Sequence, residues 1–172
     1  MNSANPTSPR PLAIVSGGSR GLGYETARGL AARGYDLALI AKDPARLNSA
    51  REQLFAKYSP TQSGLNITTH AADLENQEAT RKVAEEITTS LPTPQVMVLA
   101  HGVMSEKMSK TLRTTDAEWN RVMAINLDSV FTLVNVIAPA MADARNGRLV
   151  IYSACRKNVR TWKCRGTCTV SN

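Results

Sequence analysis

A run of glycines and small polar residues, Ser16-Gly17-Gly18-Ser19-Arg20-Gly21-Leu22-Gly23, follows a short apolar stretch and leads into a helical pattern. Glycines at a strand-to-helix turn let backbone amides approach a pyrophosphate, and the positive end of the helix favours the anion. A tight turn that holds no ligand uses the same residues, so the cluster needs context. No Lys followed by Ser or Thr comes after the glycines, which disfavours a P-loop nucleotidase and leaves a nicotinamide dinucleotide as the better occupant. Gly17, Ser19, Arg20, Gly21, Leu22 and Gly23 are the candidate contacts in this turn.

The choice of dinucleotide is carried by the end of the next strand. Sites for the unphosphorylated cofactor usually place an acid there, on the ribose hydroxyls. Ala41 occupies that position, Lys42 follows it, and Arg20 lies in the glycine turn. Two cations could therefore meet the 2′-phosphate of NADP(H) through charge-assisted bonds, which favours it over NAD(H). The alternative is that Lys42 and Arg20 are solvated surface charges and Asp43 is only a helix cap.

Three further residues stand where chemistry is possible. Asn126 falls on an apolar helical stripe between Met123 and Val130, where a buried amide must find hydrogen-bond partners. Ser153 closes an apolar run at the carboxyl edge of a sheet, where open α/β folds bind ligands. Asp73 precedes a helical segment and can be its N-cap. Strand alternation turns Tyr152 away from the face of Ser153, so Tyr152 is given a packing role. His70, His101 and the cysteines make no zinc spacing, and no metal site is expected.

These residues need a frame. Short apolar runs at Leu12 to Ser16, Leu37 to Ala41, Asn66 to Ala72, Val96 to Ala100 and Arg148 to Ser153 alternate with segments of helical period. The first helix should turn Leu22, Ala27, Leu30 and Ala31 inward, and the second starts at Asp43-Pro44 with Leu47, Ala50 and Leu54 on its stripe. Ala79, Val83 and Ile87 mark the third, which Pro92 and Pro94 end. A long helix from Asp116 should present Trp119, Met123, Val130, Leu133 and Ile137 on one face. Parallel strands with right-handed crossovers give a doubly wound, Rossmann-like α/β domain over residues 12–153, with strand order 3-2-1-4-5.

Composition agrees with one globular domain: 172 residues, 42% apolar, ten glycines and eight prolines. The net charge of +7 is uneven, because residues 154–172 hold five basic residues and no acid, together with all three cysteines. The body keeps 16 basic against 14 acidic side chains. No nucleic-acid module surrounds the basic tail, so no nucleic-acid partner is expected. Residues 1–11 read as a loose tail without the apolar core of a secretory signal. No uninterrupted apolar run reaches the roughly 18 to 20 residues of a membrane helix, so a soluble cytoplasmic protein with no membrane partner is expected.

Taken in order, these motifs resemble the short-chain dehydrogenase/reductase family. The resemblance rests on Ser16 to Gly23 with glycines 17, 21 and 23, on Asp73-Leu74, on Trp119 to Pro139 and on Gly147 to Ser153. It implies an NADP(H)-dependent oxidoreductase reducing a carbonyl or oxidising an alcohol, close to the 3-oxoacyl reductase branch. By resemblance Asp73 and Leu74 would contact adenine, Asn126 would hold a water of the proton relay, and Ser153 would be the catalytic serine. Leu99-Ala100-His101-Gly102 stands where the family has Asn-Asn-Ala-Gly and keeps only Gly102, which would border the cofactor.

The family's Tyr-x-x-x-Lys pair is absent; Cys168 and Asn172 have the spacing of its places. A thiol of pKa about 8.5 is a different acid, and asparagine carries no charge to tune it. Loss of a positioned general acid typically removes about 10² to 10⁴ of rate, so weak turnover is expected. The sheet is expected to be incomplete on its C-terminal side, with poor stability along the fifth strand. The alternative function is a non-catalytic dinucleotide-binding module or a nonfunctional fragment. The resemblance also implies association into a homo-oligomer through the long helix.

Overall fold

The computed structural model describes residues 10–105 and 114–153. Five parallel strands, β1 (Leu12–Ser16), β2 (Asp36–Ala41), β3 (Ile67–Ala71), β4 (Val96–Leu99) and β5 (Arg148–Ile151), lie in the order β3-β2-β1-β4-β5. This is the expected order. It reverses direction at β1, between β2 and β4, and in such sheets the crevice for ligands opens at the carboxyl ends of the strands on either side of the reversal.

Alternation along the strands divides the core into two layers. Leu12 and Ile14 of β1, Ala38 and Ile40 of β2, and Met97 and Leu99 of β4 face α3 (Gln77–Ser90) and α5 (Ser129–Asp143), packing with Val83, Ile87, Leu133 and Ile137. Ala13, Val15, Leu37, Leu39 and Val98 face the other way, onto α1 (Gly21–Ala32) and α2 (Pro44–Tyr58), meeting Ala27, Ala31, Leu47 and Leu54. Helices therefore cover both faces, and the near-continuous apolar runs of β1 and β2 arise from that double burial.

α1 shows how local spacing decides the layer. Gly23, Ala27 and Ala31 recur every fourth residue and are its buried positions. Leu22, expected to turn inward with them, lies about 100° round the helix from Gly23 and is 64% exposed. α2 is capped by Asp43, which accepts from Ala45 N at 3.0 Å and Arg46 N at 3.2 Å, with Pro44 in its first turn.

The long helical segment Asp116–Asp143 is not uniform. α4 (Asp116–Met123) and α5 are joined by a π-turn, Ala124–Asp128. A π-turn contains one residue more than an α-turn, which rotates the helix on its N-terminal side by about 100° relative to the helix on its C-terminal side. That rotation overturns the expected single stripe: Leu133 and Ile137 are fully buried, whereas Trp119 is 56% exposed and Met123 only half-buried. It also joins 28 residues of mean hydropathy 1.6 in their most apolar window into one helix long and apolar enough to cross a membrane, which counting uninterrupted runs does not find. Here α5 packs on α3 and the sheet through Thr132, Leu133, Ile137 and Met141.

Arg10 and Pro11, at the end of the expected N-terminal tail, are joined to β2. Arg10 Nε donates to Asp36 Oδ1 at 2.9 Å, and the Pro11 carbonyl accepts from Asp36 N at 2.9 Å.

Candidate functional site

A cleft of ≈ 440 Å³ opens at the carboxyl ends of β1, β2 and β4. Its size falls in the range of about 300–1,000 Å³ usual for small-molecule sites. Gly17, Ser19, Arg20, Gly21 and Leu22 form one wall, Lys42 and Asp43 a second, Asp73 and Leu74 a third, and Gly102 and Val103 a fourth. Gly23 lies beneath the turn rather than on its surface. A Cβ there would stand 2.3 Å from the Gly17 carbonyl oxygen, and a Cβ on Gly17 would stand 2.8 Å from that of Ala100. Close backbone packing of the turn against α1 and the end of β4 therefore requires glycine at both positions.

The helix starts differ in a way that bears on the cleft. Asp43, Asn76 and Thr115 each cap α2, α3 and α4 with a side-chain oxygen, but α1 begins at Arg20 with no side-chain cap. The first-turn amides of α1 thus keep their donors for something other than their own chain. Together with open space beside Gly21, where a Cβ would have nothing within 4 Å, this suits an anionic group.

Charge in the cleft is arranged in pairs. Lys42 Nζ lies 2.5 Å from Asp73 Oδ2, and Arg46 Nε lies 3.1 Å from Asp43 Oδ2. Burial pushes the Asp73 carboxyl up, but the Lys42 ammonium and the Glu75 amide more than offset it and hold the carboxyl below its ordinary value. The same hydrogen bond and charge raise the Lys42 pKa. Arg20 makes no ion pair among the described residues. Asp73 is not the cap of α3: that is Asn76, whose side chain accepts from Ala79 N at 3.0 Å. Asp73 sits three residues earlier, bonded to Glu75 N at 3.2 Å, because the chain still has to turn out of the cleft before the helix begins.

Asn126 lies in the π-turn, next to Ile125, which lines the cleft. Its Oδ1 accepts from Val103 N and its Nδ2 donates to Val103 O, both at 2.8 Å. The amide thereby clamps the segment after β4 as a neighbouring strand would. The π-turn's Ala124 carbonyl accepts from Gln77 Nε2 at 3.2 Å, while Gln77 Oε1 accepts from Thr132 Oγ1 at 2.9 Å.

Sequence reasoning weighs His101 as a metal ligand and as a departure from Asn-Asn-Ala-Gly, and gives it no role of its own in this cleft. Its ring lies between Ser16 Oγ, 2.5 Å from Nδ1, and Ser129 Oγ, 2.7 Å from Nε2. Burial lowers its pKa to about 4 against a smaller upward pull from the Ile125 carbonyl, so the imidazole is neutral at pH 7. A histidine at the end of an apolar strand, beside a glycine, is the available signal. His70 is buried elsewhere, between Thr68 Oγ1 at 3.0 Å and Glu86 Oε1 at 3.2 Å. Among the described residues no three His, Cys, Asp or Glu side chains gather as a metal site.

Ser153 is exposed just beyond β5 and is not part of the cleft wall. Tyr152 turns to α1, where its hydroxyl lies 3.0 Å from Thr26 Oγ1. Cys168 and Asn172 lie outside the described residues.

Known proteins share this frame. The chain is 30% identical over 138 residues to galactitol 2-dehydrogenase (L-tagatose-forming) of Cereibacter sphaeroides, covering 80% of this chain and 50% of that protein. It is likewise 30% identical over 139 residues to the 3-oxoacyl-[acyl-carrier-protein] reductase FabG of Escherichia coli, covering 81% and 52%. It therefore spans about half the length of these curated relatives. A metagenomic short-chain oxidoreductase solved in complex with NADP superposes with a TM-score of 0.74 at 28% identity, over 82% of this chain and 61% of that one. L-sorbose reductase of Gluconobacter frateurii, at 22% identity and a TM-score of 0.74 over 83% and 51%, shares the fold. The family described as short chain dehydrogenase matches residues 11–161, and on that match the chain belongs to the short chain dehydrogenase family.

Proposed function

We propose that the cleft binds a nicotinamide dinucleotide, NADP(H) in preference to NAD(H), and that the chain is the cofactor-holding part of an oxidoreductase acting on a carbonyl or alcohol. The observation that carries this reading is the set of cations around the end of β2: Arg20, Lys42 and Arg46 all line the cleft, and β2 ends in Ala41 rather than an acid. A 2′-phosphate would be met by these cations, whereas a bare ribose diol would find no strand-end carboxylate to accept its protons. The metagenomic relative, solved in complex with NADP, supports the same choice.

In this reading the glycine turn and the uncapped start of α1 hold the pyrophosphate, and Asp73 with Leu74 borders the adenine. Gly102 and Val103, fixed by Asn126, form the edge toward the nicotinamide, which supplies the hydride when bound. Ser153, at the carboxyl end of β5, would donate to a substrate oxygen. Tyr152 faces Thr26 and does not serve as the acid. The 3-oxoacyl reductase and sugar dehydrogenase relatives point to a small carbonyl or secondary alcohol as substrate.

Thermal unfolding of the chain with NADPH and with NADH tests the binding. A ligand at a hundred times its Kd stabilises by about 2.7 kcal/mol, a rise of roughly 5–10 °C for a domain of this size. NADPH should give that rise at lower concentration than NADH. Equal rises would overturn the NADP(H) preference, and a clean transition moved by neither would overturn the dinucleotide assignment.

A further inference from the structure

The geometry points to His101 as a positioning residue: it ties the entrance of the glycine turn, the end of β4 and the π-turn into one hydrogen-bond chain with a single direction. The inference rests on the dinucleotide reading for its effect on binding, but the chain of bonds stands on its own. Ser129 has one hydroxyl proton, and it is donated to the Ile125 carbonyl at 2.6 Å. At 2.7 Å from His101 Nε2, Ser129 Oγ can then only accept, so Nε2 carries the imidazole proton. The ring is neutral, which leaves Nδ1 bare, and it accepts from the Ser16 hydroxyl at 2.5 Å. The competing acceptor for Ser16 among the described residues is the Val98 carbonyl, at 3.4 Å. The protons thus run Ser16 to His101, His101 to Ser129, Ser129 to Ile125.

His101 and Ile125 line the cleft, and Ser16 adjoins it. Ser16 precedes Gly17, His101 precedes Gly102, and Ile125 precedes Asn126, which clamps Val103. Both serines are fully buried, and between them they hold the partly buried ring by its two nitrogens. Displacing the imidazole would free the glycine turn, the Gly102–Val103 wall and the π-turn from one another, and an apolar residue of similar size would fill the space without joining them.

The test combines a spectroscopic signature with binding in the full chain. The imidazole ¹⁵N shifts at pH 7 should show a protonated Nε2 and a bare Nδ1; a protonated Nδ1 would overturn the relay. His101→Leu should weaken NADPH binding about tenfold, the loss of two buried hydrogen bonds, and His101→Gln, which keeps one acceptor and one donor, should recover most of it. Equal NADPH affinity in all three proteins would reduce His101 to packing and overturn the proposal. Should His101→Leu fail to fold, or the parent bind neither NADPH nor NADH, Ser129→Ala decides by amide hydrogen exchange. Faster exchange at both Gly17 and Val103 supports the relay even where the dinucleotide reading has failed. Change confined to the neighbours of residue 129 overturns it.

Discussion

The two flanks of β1 are built to different standards. On one side, β2 buries Leu37, Ala38, Leu39 and Ile40 almost completely between the two helical layers. On the other, beyond β4, the edge strand β5 has its ends exposed and its two middle residues only half-buried. Every wall of the cleft stands on β1, β2, β3 or β4 and the segments that leave them, or on the π-turn; Ser153 stands beyond β5. On the function proposed above, the dinucleotide would be held by well-buried strands while Ser153 would act from a half-exposed edge, so binding could survive damage that abolishes turnover.

Paired substitutions probe that inequality. Ile14→Ala, in the centre of β1, should cost about 2–5 kcal/mol in urea unfolding, because a fully buried side chain leaves a cavity in the layer between the sheet, α3 and α5. The next largest effect belongs to pH. The folded pKa of His101 is near 4, below the unfolded value of about 6.5, so between these limits the unfolded chain binds the extra proton. Stability should therefore fall as pH drops from 6.5 to 4, by at most about 3 kcal/mol, and level off below. The difference in this pH slope between parent and His101→Gln, read from midpoints across the window, isolates the contribution of the ring.

Lys42→Ala should raise the Kd for NADPH about tenfold and leave that for NADH within about twofold, read by fluorescence titration. Equal losses for both would place Lys42 away from the 2′-phosphate. The smallest effect is at the far edge: Ile151→Ala, the same side-chain deletion as at position 14, should cost less than about 1 kcal/mol because Ile151 is already 37% exposed. A loss as large as that of Ile14→Ala would mean that β5 is covered in solution, and the contrast between the flanks would vanish.

Most of the frame is legible in the chain because short apolar runs and helical stripes are local signals. The strand order and the two-sided burial come from them, as does the Asp43-Pro44 start of α2. What escapes is whatever depends on a phase or a partner supplied from elsewhere. Trp119 reads as part of the inner stripe because nothing local announces a π-turn five residues later. Leu22 is drawn inward by its apolarity, although the four-residue spacing of Gly23, Ala27 and Ala31 already claims that face. The exchange of cap from Asp73 to Asn76 turns on where the chain leaves the cleft, and His101 acquires its meaning only from serines 85 residues before it and 28 after.

In the language of alignment, the π-turn is a one-residue insertion inside a helix. Removing any one residue of Ala124–Asp128 would give a longer and more regular α-helix, better by every local measure. It would also turn α4 by about 100° against α5 and end the coincidence that puts Asn126 on Val103 while Leu133 and Ile137 face the sheet. The length of this segment is therefore under stricter constraint than its composition: away from Asn126, substitutions here can be absorbed one at a time, whereas a single-codon deletion changes the face that α4 turns toward its neighbours.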